Sequence, residues 1–143
     1  MARVTDYSAH GIRFRYPDSW TVADESSDEK VAVTVQSEGT AFWTIAVFDD
    51  GPSPERVLES AVAAYREDYP EVDIYPTETH AGPHGPVLSR DVEFVCLELI
   101  AGARVEAFQA GERTAMVLFQ AADAELETVR PVLDAMTASV EIE

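Results

Sequence analysis

Lysine is nearly absent from this sequence. Lys30 stands alone beside nine arginines, and these 10 basic residues face 27 aspartates and glutamates, for a formal net charge of −17. A surface so acidic repels phosphate backbones, which argues against non-specific nucleic-acid binding. It repels anionic membrane surfaces for the same reason. Basic partners and divalent cations are tolerated, but charge alone selects neither. Scarce lysine with abundant acid fits a GC-rich coding sequence or a salt-rich cytoplasm, and bears on solubility rather than fold. Cysteine is equally scarce. Cys96 is the only one, which excludes an intrachain disulfide and a cysteine-based zinc site. No apolar run approaches the ~18 residues of a membrane helix. The opening residues Met1 to Asp6 lack the basic start and apolar run of a signal peptide, so the expected location is the cytoplasm. Gly-x-Ser-x-Gly, Walker and dinucleotide glycine patterns are missing too.

What is present is a well-patterned core. Of 143 residues, 46% are apolar, enough to fill one domain. Ile12 to Tyr16 alternates apolar and basic residues, the period of a half-buried strand. Pro17-Asp18-Ser19 then turns the chain, and Trp20 to Val22 reads as a short strand before an acidic loop from Ala23 to Lys30. Val31 to Val35 and Ala41 to Phe48 predict two further strands.

Ser53-Pro54-Glu55 predicts a helix start: a capping hydroxyl, proline at the first helical position and an acid in the first turn. Val57, Leu58, Ala61, Val62, Tyr65 and Tyr69 form its apolar face, so a helix is expected near 54–69. Val72 to Tyr75 predicts a strand, Pro76 to Pro86 a turn-rich stretch, and Val87 to Ile100 one long extended segment. Gly102 and Gly111 read as punctuation around strands Ala103 to Gln109 and Arg113 to Gln120. A last helix is expected near 123–138, capped by Asp123 and kinked or split at Pro131. Val140 and Ile142 predict a short terminal strand. The order points to an α+β fold: an antiparallel sheet with helices on its faces.

The string Gly11 to Trp20, the Pro-Ser-Pro-Glu helix start at 52–55, the Met116 to Phe119 strand and the final helix together resemble the PsbP-like superfamily. The resemblance covers most of the chain and implies a single domain over 1–143, an α/β/α sandwich around a central antiparallel sheet. The superfamily includes the extrinsic PsbP subunit of photosystem II, a eukaryotic Ran-binding nuclear-import factor and bacterial chaperones of type VI secretion effectors. It implies no shared catalytic set, so no catalytic residue and no cofactor is carried over.

Several residue groups could carry chemistry. His80 and His84 flank Gly and Pro in a loop, where two imidazoles with Glu78 or Asp73 could chelate a metal. The bland alternative is an exposed turn. Cys96 lies in an apolar run and reads as a buried thiol rather than a nucleophile. Asp49 and Asp50 are adjacent, poor geometry for a carboxylate dyad. Asp24, Glu25, Asp28 and Glu29 lack the spacing of a calcium loop. Arg13 and Arg15 share one strand face and could grip an anion or pair with nearby acids. Phe42 and Trp43 are neighbours on a strand, so one faces the core and the other faces away. Phe42, Trp43, Tyr65, Tyr69 and Tyr75 are therefore the candidates for an interaction surface. Three functions follow in order: a non-enzymatic protein-interaction or chaperone-like adaptor domain with a protein partner, a small-ligand or metal-binding module using His80 to His84, and an unrecognised hydrolase.

Overall fold

The computed structural model describes residues 3–49 and 51–143. Two β-sheets and two helices make up the fold. Strands β1 (Val4–Ala9), β2 (Ile12–Pro17) and β11 (Glu141–Ile142) form a small sheet in the order β1-β2-β11. The large sheet runs β3-β4-β5-β10-β9-β8-β6, with β7 also paired to β8. Its strands are β3 (Thr21–Asp24), β4 (Lys30–Gln36), β5 (Phe42–Phe48), β6 (Val72–Ile74), β7 (Glu78–Gly82), β8 (Gly85–Cys96), β9 (Leu99–Ala110) and β10 (Arg113–Ala122). Every pairing is antiparallel.

Alternation along the strands divides the large sheet into two apolar faces. One face gathers Val33, Val35, Trp43, Ile45, Val47, Val117 and Phe119 beneath helix α2 (Asp123–Ala138) and the small sheet. Phe14 of β2 meets Trp43 there at a ring separation of 4.7 Å. The other face gathers Val92, Phe94, Ala103, Val105 and Ala107 beneath helix α1 (Pro54–Asp68). The result is the three-layer arrangement that the residue order predicted, helix on sheet on helix.

Helix α1 is built as its sequence dictates. The Ser53 hydroxyl accepts the Arg56 N–H, Pro54 opens the first turn, and Tyr69 caps the end before Pro70. Helix α2 departs from expectation twice. Asp123 is its first residue rather than its cap, and no side chain of the capping residue Ala122 bonds back to it. The cap comes from the β4–β5 turn instead, where the Thr40 hydroxyl accepts the Ala122 N–H at 3.0 Å. Pro131 does not split the helix, which runs unbroken from 123 to 138. Proline removes one donor on an exposed side, while Leu126, Leu133 and Met136 stay packed in the core on the other.

Four further differences lie at the connections between strands. Val87 to Ile100 is not one extended segment: β8 and β9 are joined by a two-residue turn at Leu97-Glu98. Pro76 to Pro86 is not only turns, because β7 and β8 form a hairpin around Pro83-His84. Strand β1 is additional, linked to β2 by His10-Gly11. The expected loop from Ala23 to Lys30 shortens, since β3 extends to Asp24 and β4 begins at Lys30.

Candidate functional site

The two helices do not cover the large sheet equally. Helix α1 lies over β8 and β9 and only partly over β10, leaving its own face of β4, β5 and the β5 side of β10 uncovered. Side chains of that parity include Thr34 on β4, Phe42, Thr44 and Phe48 on β5, and Met116, Leu118 and Gln120 on β10. All are half-buried. With Val57, Ala61 and Tyr65 of α1 and its capping residue Tyr69, all of them except Thr34 line a groove of about 780 Å³.

The groove floor is apolar and its polar groups are largely satisfied among themselves. Thr34 and Thr44 share a hydroxyl hydrogen bond at 2.9 Å. The Tyr65 hydroxyl donates to Gln120 Oε1 at 2.6 Å, and burial raises its pKa well above the ordinary phenol value. That phenol is therefore a neutral donor locked to the wall. Arg56 and Asp68 are the charged lining residues. Lys30 sits over the Phe48 ring, 5.8 Å from its centre, at the far rim. Such a lining offers apolar area with a few fixed polar contacts, which suits binding more than proton transfer.

Of the five aromatic candidates, the fold brings three together. Phe42, Tyr65 and Tyr69 line this groove. Trp43 does not: it is fully buried on the opposite face, its indole N–H donating to Thr137 Oγ1 at 3.0 Å. Tyr65 contributes an edge only, since most of it is buried against Phe94. Tyr75 is exposed, but lies at the end of β6 away from the groove.

A second cleft, of about 810 Å³, lies between the β7–β8 hairpin and α2. Its floor is a charge network that sequence reading missed. Arg104 donates to Glu106 Oε1 at 3.2 Å, to Asp91 Oδ1 at 3.1 Å and to Ser89 Oγ at 3.1 Å. Partial burial opposes the Arg104 charge, but Glu106 and Asp91 outweigh it and raise its pKa. The only trace in the sequence is polar residues at period 2, Ser89 and Asp91 opposite Glu106 and Arg104. With its donors held this way, Arg104 ties β8 to β9 rather than waiting for an anion.

His80 and His84 both reach this cleft. His80 Nε2 is 3.9 Å from Glu106 Oε1, and the His84 ring stacks on Phe108 with centres 5.8 Å apart. Glu78 lines the same cleft, whereas Asp73 belongs to β6. Among the described residues no group of three or more His, Cys, Asp or Glu side chains is placed to hold a metal ion.

The remaining candidates resolve into structural contacts. Arg13 approaches Glu141 at 3.8 Å and Arg15 approaches Asp6 at 3.2 Å, so both pair with acids on flanking strands. Asp24 accepts from the Ser26 N–H and the Tyr7 hydroxyl and lies 2.8 Å from His10 Nε2. These contacts, the Ser26 bonds foremost, hold its carboxyl well below the usual range. Burial, with Asp24 adding to it, pushes Tyr7 up to about 12. Asp49 pairs with Arg113 at 3.9 Å, and Asp50 lies outside the described residues. Cys96 is half-exposed at the end of β8, not buried as expected, because the chain turns immediately after it.

No protein-family model matches this sequence, and no curated protein does. Solved structures do match over nearly the whole chain. Cyanobacterial PsbP (CyanoP) from Synechocystis superposes with a TM-score of 0.75 at 12% identity, covering 100% of this chain and 94% of that one. The Ran-binding protein Mog1p of Saccharomyces cerevisiae gives 0.64 at 9% identity, covering 99% and 96%. A Pseudomonas aeruginosa protein of unknown function, PA94, gives 0.60 at 12% identity, covering 98% and 97%. At such identities the likeness is one of fold, and the fold is PsbP-like, as the opening string and element order implied. No helix among the described residues is long and apolar enough to cross a membrane.

Proposed function

We propose that this chain is a non-enzymatic interaction domain that holds a segment of a partner protein in the groove beside α1. The bare apolar strip of Phe42, Phe48, Met116 and Leu118 carries this reading. A sheet face is normally covered by the next layer of structure. Here α1 occupies one side of the face and leaves a lane over β4, β5 and β10. Three strands at about 4.8 Å spacing make a lane roughly as wide as the 10–12 Å diameter of one helix. An amphipathic helix laid alongside α1 would bury the strip and meet hydrogen-bonding groups at Thr44 and Gln120. The neighbour Mog1p, described as Ran-binding, lends support because it is a protein-binding domain on the same fold.

The test is a photo-crosslinking residue at Phe42, with a control at exposed Ser19, followed by identification of the adducts. The expected result is a saturable protein adduct from Phe42 that Leu118→Glu removes without lowering the melting temperature by more than a few degrees. Identical adducts from both positions, or an unchanged adduct in the Leu118→Glu protein, would overturn the reading.

A further inference from the structure

Among the described residues five large apolar side chains are exposed, and three of them belong to one corner of the large sheet. Leu97 is 91% exposed, Leu99 60% and Ile100 48% at the β8–β9 turn, and Tyr75, at 47%, follows β6 on the same edge. Scattered apolar exposure is ordinary, whereas clustering on one corner marks a contact surface.

The backbone at this corner is also unusual. Cys96 pairs with Leu99, so Leu97 and Glu98 alone make the turn, with φ of 51° and 66°. Tight hairpins of this kind need the left-handed region at both positions, and Asn-Gly or Asp-Gly normally supplies it. This chain places two residues with Cβ atoms there instead, one of them a leucine projected into solvent. Strained backbone retained at an exposed tip points from structure to function.

Charge indicates what covers the corner. Glu71, Asp73 and Glu93 line a cleft of about 300 Å³ with Ile100, and Glu98 sits in the turn itself. Asp73 and Glu93 are direct cross-strand partners, a like-charge pairing that costs stability. Among the described residues none of these four carboxylates has a basic side chain within 4.0 Å. A second copy would bring the same carboxylates, and an anionic bilayer would bring phosphates, so both are repelled.

We infer that the β6 and β8–β9 corner is a second docking surface, whose occupant is a Lys/Arg-rich segment of a partner protein carrying a bulky apolar residue. Ile100, on the sheet face that bears Asp73 and Glu93, and Leu97 at the tip supply the apolar contact, and Glu71, Asp73, Glu93 and Glu98 select the basic flanks. Prolines at 70 and 76 bracket the three-residue β6, which disfavours simple addition of a strand to the edge and favours contact with the side chains.

The experiment places a photo-crosslinking residue at Ile100 in the full chain, inside cells of the source organism, and identifies the crosslinked peptide. The expected adduct is a protein whose crosslinked peptide is rich in Lys and Arg. Asp73→Lys with Glu93→Lys should reduce it at least tenfold, while Asp28→Lys with Glu29→Lys, the same change in net charge in a distant loop, should leave it. Leu97→Gly with Glu98→Gly relieves the turn, so that protein should melt no lower than the wild type and still lose the adduct. Equal loss with both lysine pairs would reduce the contact to bulk charge. An adduct with a second copy or with lipid, or no adduct, also overturns the proposal. Leu118→Glu, which empties the groove beside α1, should leave the Ile100 adduct in place, so the two readings fail independently.

Discussion

Glu125 shows how one side chain can hold two distant segments together. Its carboxylate accepts from the Thr40 N–H at 2.7 Å, from the Thr40 hydroxyl and from the Ser37 hydroxyl at 3.4 Å. Those bonds, the Thr40 hydroxyl first, depress its pKa below the ordinary 4.5. The folded state therefore favours the ionised form more than the unfolded chain does. That contribution is complete above about pH 5 and is lost as the pH falls through the folded value. Glu125→Gln should cost about 1–2 kcal/mol at pH 7. The penalty should shrink progressively as the pH of urea melts is lowered from 7 through the depressed folded pKa, where Glu125 takes up its proton. A penalty independent of pH would show that shape, not charge, holds the turn. Phe42 and Trp43 make the companion point about direction: adjacent residues with similar chemistry, one lining a groove and the other sealed in the core.

Elements in this fold meet through deliberate vacancies as well as contacts. Gly102 lies inside β9, not at its boundary, and a Cβ there would stand 2.7 Å from Leu126 Cδ2 of α2. The missing side chain is what lets α2 sit down on the sheet. Gly102→Ala should cost about 1–3 kcal/mol by overpacking, read as a lowered melting temperature. No loss would mean that Leu126 swings aside freely. The same seat explains why Pro131 is tolerated: α2 is fixed by Leu126, Leu133 and Met136 against the core, so one absent backbone donor does not break it. Helix α1 is instead fixed at one side of its sheet face, and the lane left beside it is where the proposed function resides.

At the scale of the whole molecule the charge of −17 opposes compaction. Added salt screens that repulsion, with a Debye length near 10 Å at 0.1 M. Raising NaCl from about 0.02 M to about 0.5 M should therefore stabilise the fold by on the order of 1 kcal/mol, roughly 3–6 °C in melting temperature. A melting temperature that falls with salt would mean that the ion pairs, such as Arg104 with Asp91 and Glu106, outweigh the net repulsion. The same charge bears on both proposed surfaces, since it admits basic partners and disfavours self-association.

The sequence by itself determined the repeating elements and their burial. Strand alternation, the Ser53-Pro54-Glu55 helix start and the apolar stripes of both helices express local periodicity, which depends only on neighbours along the chain. That was sufficient for the α+β architecture and for the PsbP-like order. The turn at Leu97-Glu98 escaped because its left-handed backbone is imposed by the pairing of Cys96 with Leu99 and not by residue type. The groove, the corner and the Arg104 network escaped for a further reason. Each joins residues distant in sequence, from Ser89 with Arg104 across one hairpin to Phe42 with Tyr69 and Leu118, through the register and order of strands in the sheet. Only the tertiary structure decided which apolar side chains α1 covers and which it leaves uncovered, because a helix covers one lane of a sheet face and its sequence does not say which.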